Sequence, residues 1–304
     1  MLSQARVSVT DLLGKSGSEQ AEWLDSLGER LQESTVALFA SRGQAGKRVE
    51  DFLHGTWYGH ALHPALILAP AGAWVTAALL DAVGIEDGAD AAIGFGIVSS
   101  LPAAASGMVD WAYTSGKVRR VGLVHALLNS ASLVLYGGSW LARKSGSRGL
   151  GIGLSTLGLG VMGASAYLGG ELSYSLGQGV NRASFRLDVA DTSETVGEFR
   201  VVAKESDVLE GQLASGEFEL DGATFPLVLL KRDGVVHAID SVCTHLGGPL
   251  ADGTLVGEWC VECPWHGSQF DMRDGQIVQG PAAYPQPRYE TRIANGNVEA
   301  RLAR

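Results

Sequence analysis

The chain has 304 residues, of which 46% are apolar and only 18% charged, with 41 glycines and a net charge of −10. Such apolar content excludes disorder, glycine without a three-residue period excludes collagen, and the negative balance argues against nucleic-acid binding through phosphate contacts. Three cysteines cannot form a fully paired disulfide framework, and the length suits about two domains.

Residues 1–56 are polar and mixed in charge, with no apolar run of signal-peptide type, and are expected to form a cytoplasmic helical segment. From Ser18 to Phe39, the residues Trp23, Leu24, Leu27, Leu31 and Leu38 recur at helical spacing. That pattern predicts an amphipathic helix with Ser18 as N-cap, packed on a neighbour or lying at a membrane surface.

Residues 57–178 hold four apolar stretches, Ala61–Val83, Ala91–Tyr113, Val121–Ala142 and Leu150–Tyr174. Each exceeds the ~20 residues needed to cross a bilayer as a helix. Residues 60–176 contain only six acidic and six basic side chains, most of them in the short connections between stretches. The reading is a four-helix transmembrane bundle. Small residues at Ala92, Gly96, Ser100 and Ala104, and again at Thr156, Gly160 and Ala164, predict ridges for close helix packing. Trp57, Tyr58, Trp111, Tyr113, Trp140 and Tyr174 fall near span ends, as an interfacial belt would. Arg42, Lys47, Arg48, Lys117, Arg119, Arg120, Arg182 and Arg186 share one face, against Arg143, Lys144 and Arg148 on the other. This bias places both termini in the cytoplasm of a multi-pass cell-membrane protein.

Residues 179–198 read as a polar linker. Beyond them, short β-type runs such as Phe225–Leu230 and Val235–Ile239 alternate with turns at Asp221-Gly222, Asp233-Gly234, Asp252-Gly253, Asp274-Gly275 and Asn295-Gly296. Residues 199–304 are therefore expected to form a small all-β domain, and the chain as a whole is multidomain.

Within that domain Cys243-Thr244-His245 is followed by Cys263-Pro264-Trp265-His266. Two Cys and two His offer four metal ligands, suited to zinc or to an iron–sulfur cluster. The flanks, Cys243-Thr-His-Leu-Gly-Gly-Pro249 and Cys263-Pro-Trp-His-Gly-Ser-Gln-Phe270, resemble the two cluster loops of Rieske ferredoxin domains, and Gly280-Pro281 resembles their third, covering loop. The resemblance implies a [2Fe-2S] cluster with Cys243 and Cys263 on one iron and His245 and His266 on the other. It also implies that Leu246, Ser268 and Pro281 line the cluster, with the Ser268 hydroxyl donating to a bridging sulfide. Gly248 and Trp265 stand where quinol-oxidising members carry a disulfide, which implies a ferredoxin-type domain in a reducing compartment. Phe270 stands where high-potential members have Tyr. The potential is therefore expected in the lower part of the ~−150 to +300 mV Rieske range. Cys260 reads as a free, partly buried thiol, and His237 as a strand residue.

Gly59-His60-Ala-Leu-His63-Pro64, with Gly169-Gly170-Glu171-Leu172, resembles a family of four-span bacterial membrane proteins with a His-x-x-His-Pro signature, covering about residues 50–180. That resemblance implies a fold but no activity. The predicted topology brings His60, His63, Asp110, His125 and Glu171 to similar depth at the cytoplasmic ends of the spans. Ionisable groups there suggest a second site, for a b-type haem, a metal ion or a quinone; the alternative is a set of interfacial polar groups that shape the helix ends.

The reading adopted is a membrane-anchored Rieske-type protein carrying single electrons, an electron-transfer component rather than a stand-alone catalyst. Its partners would be a reductase or acceptor protein and the lipid bilayer, with no nucleic acid; the glycine-rich spans allow a homo-oligomer without requiring one. A quinone- or haem-linked oxidoreductase and a redox sensor are the alternatives. A Rieske oxygenase is rejected, because only 38 residues follow His266 and a catalytic iron domain needs more.

Overall fold

The computed structural model describes residues 19–184 and 197–303; Ser18 and Arg186 lie outside the described residues. Two compact units are present. One comprises residues up to Leu53 together with Leu62–Gln178; the other comprises His54–Ala61 and the chain from Gly179 onward.

The first unit is helical. Helices α1 (Glu19–Ala40) and α2 (Gly43–His54) precede four long apolar helices: α3 (His63–Ala82), α4 (Glu86–Trp111), α5 (Gly116–Lys144) and α6 (Arg148–Ser175). All four are long and apolar enough to cross a membrane. They run past the hydropathic limits at several ends because charged residues suit helix termini. Glu86 and Asp87 occupy the first turn of α4 and Arg143 and Lys144 the last turn of α5, each complementing the helix dipole.

Each long helix packs against two others to make an antiparallel bundle. The ridge expected on α4 is only partly right: Gly96 is buried, but Ala104 is exposed, and the packed line runs through Ala89, Ile93, Gly96, Ala103 and Ser106. On α6 the correction is complete. Thr156, Gly160 and Ala164 face outward, and Gly151, Ser155, Gly158 and Ser165 face inward. In a span both faces are apolar, so sequence spacing alone does not say which face packs.

The buried glycines act as sockets for large side chains. A Cβ on Gly96 would lie 2.2 Å from the Trp74 indole, and one on Gly122 would lie 2.4 Å from the Trp111 ring. Trp74 in turn stacks on Tyr136, with ring centroids 4.1 Å apart and an interplanar angle of 8°. At the α3–α4 and α5–α6 connections, Arg143 is buried with Asp81 (2.5 Å), Asp90 (3.2 Å) and the Ser139 and Ser155 hydroxyls, and Arg148 joins Asp81, Glu86 and Asp90.

Among its described residues the second unit has ten strands. β1 (Arg200–Lys204), β2 (Leu213–Leu220), β3 (Ala223–Arg232), β4 (Val235–Asp240), β9 (Arg288–Ala294) and β10 (Asn297–Leu302) form a six-stranded antiparallel sheet in the order β1-β10-β9-β4-β3-β2. β5 (Thr254–Val256), β6 (Cys260–Glu262), β7 (Gln269–Asp271) and β8 (Ile277–Gln279) form a second sheet in sequence order. The Asp-Gly and Asn-Gly pairs at 221–222, 233–234 and 295–296 have positive φ at both residues and close tight hairpins, the geometry that such pairs favour.

β3 is buried on both faces, and its period-two alternation feeds two cores. Phe225, Leu227 and Leu229 pack with Phe218, Tyr289 and Val298, while Val228 and Leu230 pack with Ile239, Leu250, Phe270 and Met272. Cys243 and Cys263 belong to the second of these cores, so the site grows out of the hydrophobic interior of the domain.

Candidate metal centre

Two loops carry the motif, one between β4 and β5 and one between β6 and β7, and backbone bonds close them in the same way. In the first, Cys243 N–H donates to Gly248 O (2.8 Å) and Gly247 N–H to Cys243 O (2.8 Å). In the second, Cys263 N–H donates to Ser268 O (2.8 Å) and Gly267 N–H to Cys263 O (3.0 Å). Gly247 and Gly267 sit four residues after their cysteines with φ of 85° and 72°. Only glycine adopts this region at no steric cost, so the Gly in each motif is required by the turn.

This closure turns backbone amides inward. The N–H groups of His245 and Leu246 donate to the Cys243 sulfur, and those of Trp265 and His266 to the Cys263 sulfur. The two thiols are in hydrogen-bond contact; that contact lowers Cys263, with help from its two inward amides, and raises Cys243, where burial outweighs the inward amides that pull it down. The imidazoles of His245 and His266 stand edge to face with centroids 5.0 Å apart. Burial first, then the charges of His266, His54 and Arg182, push His245 down to about 3, so its ring is neutral at pH 7. Its Nδ1 is buried and has no hydrogen-bond partner. An orphaned acceptor of this kind is costly unless a metal takes the lone pair, and a thiol pair beside an imidazole pair is the donor set a [2Fe-2S] cluster takes. The residues present fit that group.

A third loop, between β8 and β9, ties both motif loops together. Ala282 N–H donates to Ser268 Oγ (3.0 Å), and Thr244 Oγ1 donates to Tyr284 O (2.7 Å). Ser268 is buried, and accepting from Ala282 leaves its hydroxyl proton free to point elsewhere. Pro281, next to Ala282, is buried as well. Gly248 is held by close approach: a Cβ there would lie 2.7 Å from Cys263 Sγ and 3.1 Å from the Trp265 ring. The two positions that hold neither cysteine nor disulfide thus touch each other, and the Trp265 ring, 57% exposed, roofs the site.

The chain before the sheet also belongs to this site, which sequence reasoning missed. Arg182 N–H donates to Thr244 O (3.1 Å) and Tyr284 OH to Gly179 O (3.1 Å). The beginning of the expected linker is therefore packed against the first motif loop. Segment His54–Ala61 belongs to the same compact unit, and no motif in the sequence signals either association. His237 lies on β4 with its ring against Trp259 at 5.0 Å. Cys260 is a half-buried free thiol on β6 that burial pushes up, and Phe270 is core.

The other set of expected site residues comes together only in part. His63 and His125 face each other at 6.5 Å, edge to face. His63 Nδ1 bonds Ala103 O (2.8 Å); His125 Nδ1 bonds Ser165 O (2.8 Å) and its Nε2 meets Asn129 Nδ2 (3.0 Å). Asp110 O accepts from Gln178, and His60 Nδ1 meets Ala61 O (2.9 Å). Asp110 and Glu171 are both half-buried. Among the described residues no three His, Cys, Asp or Glu side chains converge on a point where one ion could sit.

Comparison with known proteins finds two family models that match this chain. A Rieske [2Fe-2S] domain model matches residues 198–290, and a model described as a predicted membrane protein (DUF2231) matches residues 59–182. The ferredoxin component of the naphthalene 1,2-dioxygenase system of Pseudomonas putida is 32% identical over 90 residues, which are 30% of this chain and 82% of that protein. Cholesterol 7-desaturase nvd of Xenopus laevis is 42% identical over 57 residues, 19% of this chain, and the chain spans only 13% of that relative. Among solved structures, the Sphingomonas yanoikuyae B1 ferredoxin is 26% identical with a TM-score of 0.31, covering 34% of this chain and 98% of that one. The chain belongs to the Rieske [2Fe-2S] family through residues 198–290, which follow a predicted membrane protein domain at residues 59–182.

Proposed function

We propose that this protein is a membrane-anchored, one-electron carrier. Cys243 and Cys263 hold one iron of a [2Fe-2S] cluster, and His245 and His266 hold the other. The observation that carries the reading is the pairing of donors: a thiol pair and an imidazole pair, with the buried His245 Nδ1 lacking any protein partner. The same four donors could close a tetrahedral zinc site; the Rieske [2Fe-2S] match over residues 198–290 favours two irons.

When bound, the cluster accepts and releases a single electron. The chain's own residues set how readily that happens. The four inward amides and the Ser268 hydroxyl place positive dipole ends where negative charge accumulates on reduction, which favours the reduced state. The two half-buried imidazoles give the route to the surface, and Trp265 borders it. Net charge over residues 197–304 is −7, from 16 acidic and nine basic residues, which suits a basic docking patch on a reductase or acceptor. The naphthalene dioxygenase relative is by name a ferredoxin component, which supports the carrier role. The α3–α6 bundle is the anchor, spanning the bilayer with both termini cytoplasmic, the side favoured by basic residues. The His63–His125 contact supports a packing role, because both His125 nitrogens are engaged within the bundle.

A reduced-minus-oxidised optical spectrum of the detergent-purified protein, with iron and zinc quantified on the same sample, tests the proposal. The expected result is a broad bleach on reduction and two irons per chain, with no haem α-band. One zinc per chain with no bleach overturns it.

A further inference from the structure

Helices α1 and α2 are built inside out. On α1, Leu24, Gly28, Gln32 and Thr35 are buried, whereas Trp23 (60% exposed), Leu31 and Leu38 lie on a neighbouring face open to the outside. On α2 the inversion is sharper. Glu50 is 4% exposed, accepts a hydrogen bond from Tyr113 OH and pairs with Lys47 at 3.0 Å. Val49 and Phe52, three residues apart on the opposite face, are more than half exposed. A helix in water turns its polar face out and gains stability by burying large apolar side chains, so this arrangement needs an occupant.

Where the two helices are pinned identifies it. Gln32 Nε2 donates to Trp111 O (2.8 Å) and Thr114 O (2.9 Å), and Asp25 pairs with Arg119 (3.0 Å) and Arg120 (2.8 Å). Tyr113 holds α2. Every one of these partners lies on the α4–α5 connection or beside it, where two of the apolar helices end. The outward apolar faces are therefore at the level where spans leave hydrocarbon, the level at which Met108, near the end of α4, is also exposed. The third face of α1 carries Glu22, Glu29 and Glu33, all exposed, as a water-facing side would.

We propose that α1 and α2 lie in the membrane interface as a collar, their apolar faces set into the headgroup–acyl boundary of the bilayer. The proposal rests on the reading of α3–α6 as membrane spans. Trp23, Leu31, Leu38, Val49 and Phe52 contact lipid, and the bonds to the α4–α5 connection fix the depth.

The test uses the full holoprotein with Cys260→Ser, reconstituted in phosphatidylcholine–phosphatidylglycerol vesicles. Single spin labels go on Leu38→Cys, Phe52→Cys, Glu33→Cys and, as a span reference, Val134→Cys, which is exposed on α5. Relaxation by oxygen and by a water-soluble nickel chelate reports the surroundings of each label. The expected result is an oxygen-to-nickel ratio at Leu38 and Phe52 several-fold above that at Glu33 and approaching that at Val134. Leu38 and Phe52 labels that match Glu33, with Val134 still oxygen-rich, overturn the collar alone. A nickel-accessible Val134 overturns the membrane reading and the collar with it. Labels shielded from both reagents and broadened by a like label nearby show a second copy on the face, and also overturn the proposal.

Discussion

Ser268 shows how much one buried hydroxyl can decide. Its oxygen accepts from Ala282 N–H, so its proton is left to donate elsewhere. A hydrogen bond to a charged acceptor contributes about 1.5–3 kcal/mol, and ~1.4 kcal/mol corresponds to ~59 mV for a one-electron couple. Ser268→Ala should therefore lower the midpoint potential by roughly 60–130 mV with the iron content unchanged, because the lost donor favours the reduced form. A redox titration followed by the optical bleach measures it; a potential that does not move would mean that the hydroxyl points away from the cluster. Gly248 works through space instead. Any Cβ there would strike Cys263 Sγ, which explains a glycine that the turn itself does not demand.

At the scale of elements, the legibility of the sequence followed contrast. The hairpins at 221–222, 233–234 and 295–296 were readable because Asp-Gly and Asn-Gly force one backbone geometry, and the ligand loops because four donors and two glycines recur at fixed spacing. The packed faces of the spans were not readable. Along α6 both faces are small and apolar, and the inward line through Gly151, Ser155 and Gly158 differs from the outward one only by what the neighbours present. On α1 the spacing of Trp23, Leu24, Leu27, Leu31 and Leu38 marked the helix but left open whether its apolar side packs on a neighbour or lies at a membrane surface; of the five only Leu24 is buried. The basic residues at 143–148 were counted as loop charges. The Arg143 side chain is instead 0% exposed and joins Asp81 and Asp90, so that three helix ends meet. Breaking a buried pair by removing one charge costs about 3–5 kcal/mol, so Asp81→Asn should melt at clearly lower temperature in detergent, with the iron-dependent spectrum retained at low temperature. An unchanged melting temperature would show that Asp90 and the Ser139 and Ser155 hydroxyls satisfy Arg143 alone.

For the molecule as a whole, the limits of the Rieske unit are wider than its motif. The family match begins at residue 198, yet Gly179 and Arg182 bond to the loops that present His245, and Arg182 together with His54 acts on the His245 ring. These bonds hold the Thr244 carbonyl and the Tyr284 hydroxyl, and removing the segment would leave both to water. The six-stranded sheet, the second sheet and both ligand loops lie wholly after residue 197, so the shorter piece retains every ligand and both cores. A piece comprising residues 199–304 should therefore still assemble with two irons per chain. It should lose them faster to a chelator than a piece comprising residues 179–304, and its midpoint potential should differ, because the fixed positive charge of Arg182 is gone and solvent reaches the imidazoles. Arg182→Gln in the longer piece separates the two causes: its potential should move toward that of the shorter piece while its iron loss stays slow, since the backbone N–H bond to Thr244 is kept. Equal rates of iron loss from both pieces would show that the packed segment is a tether only, and that the cluster site is complete in the strands.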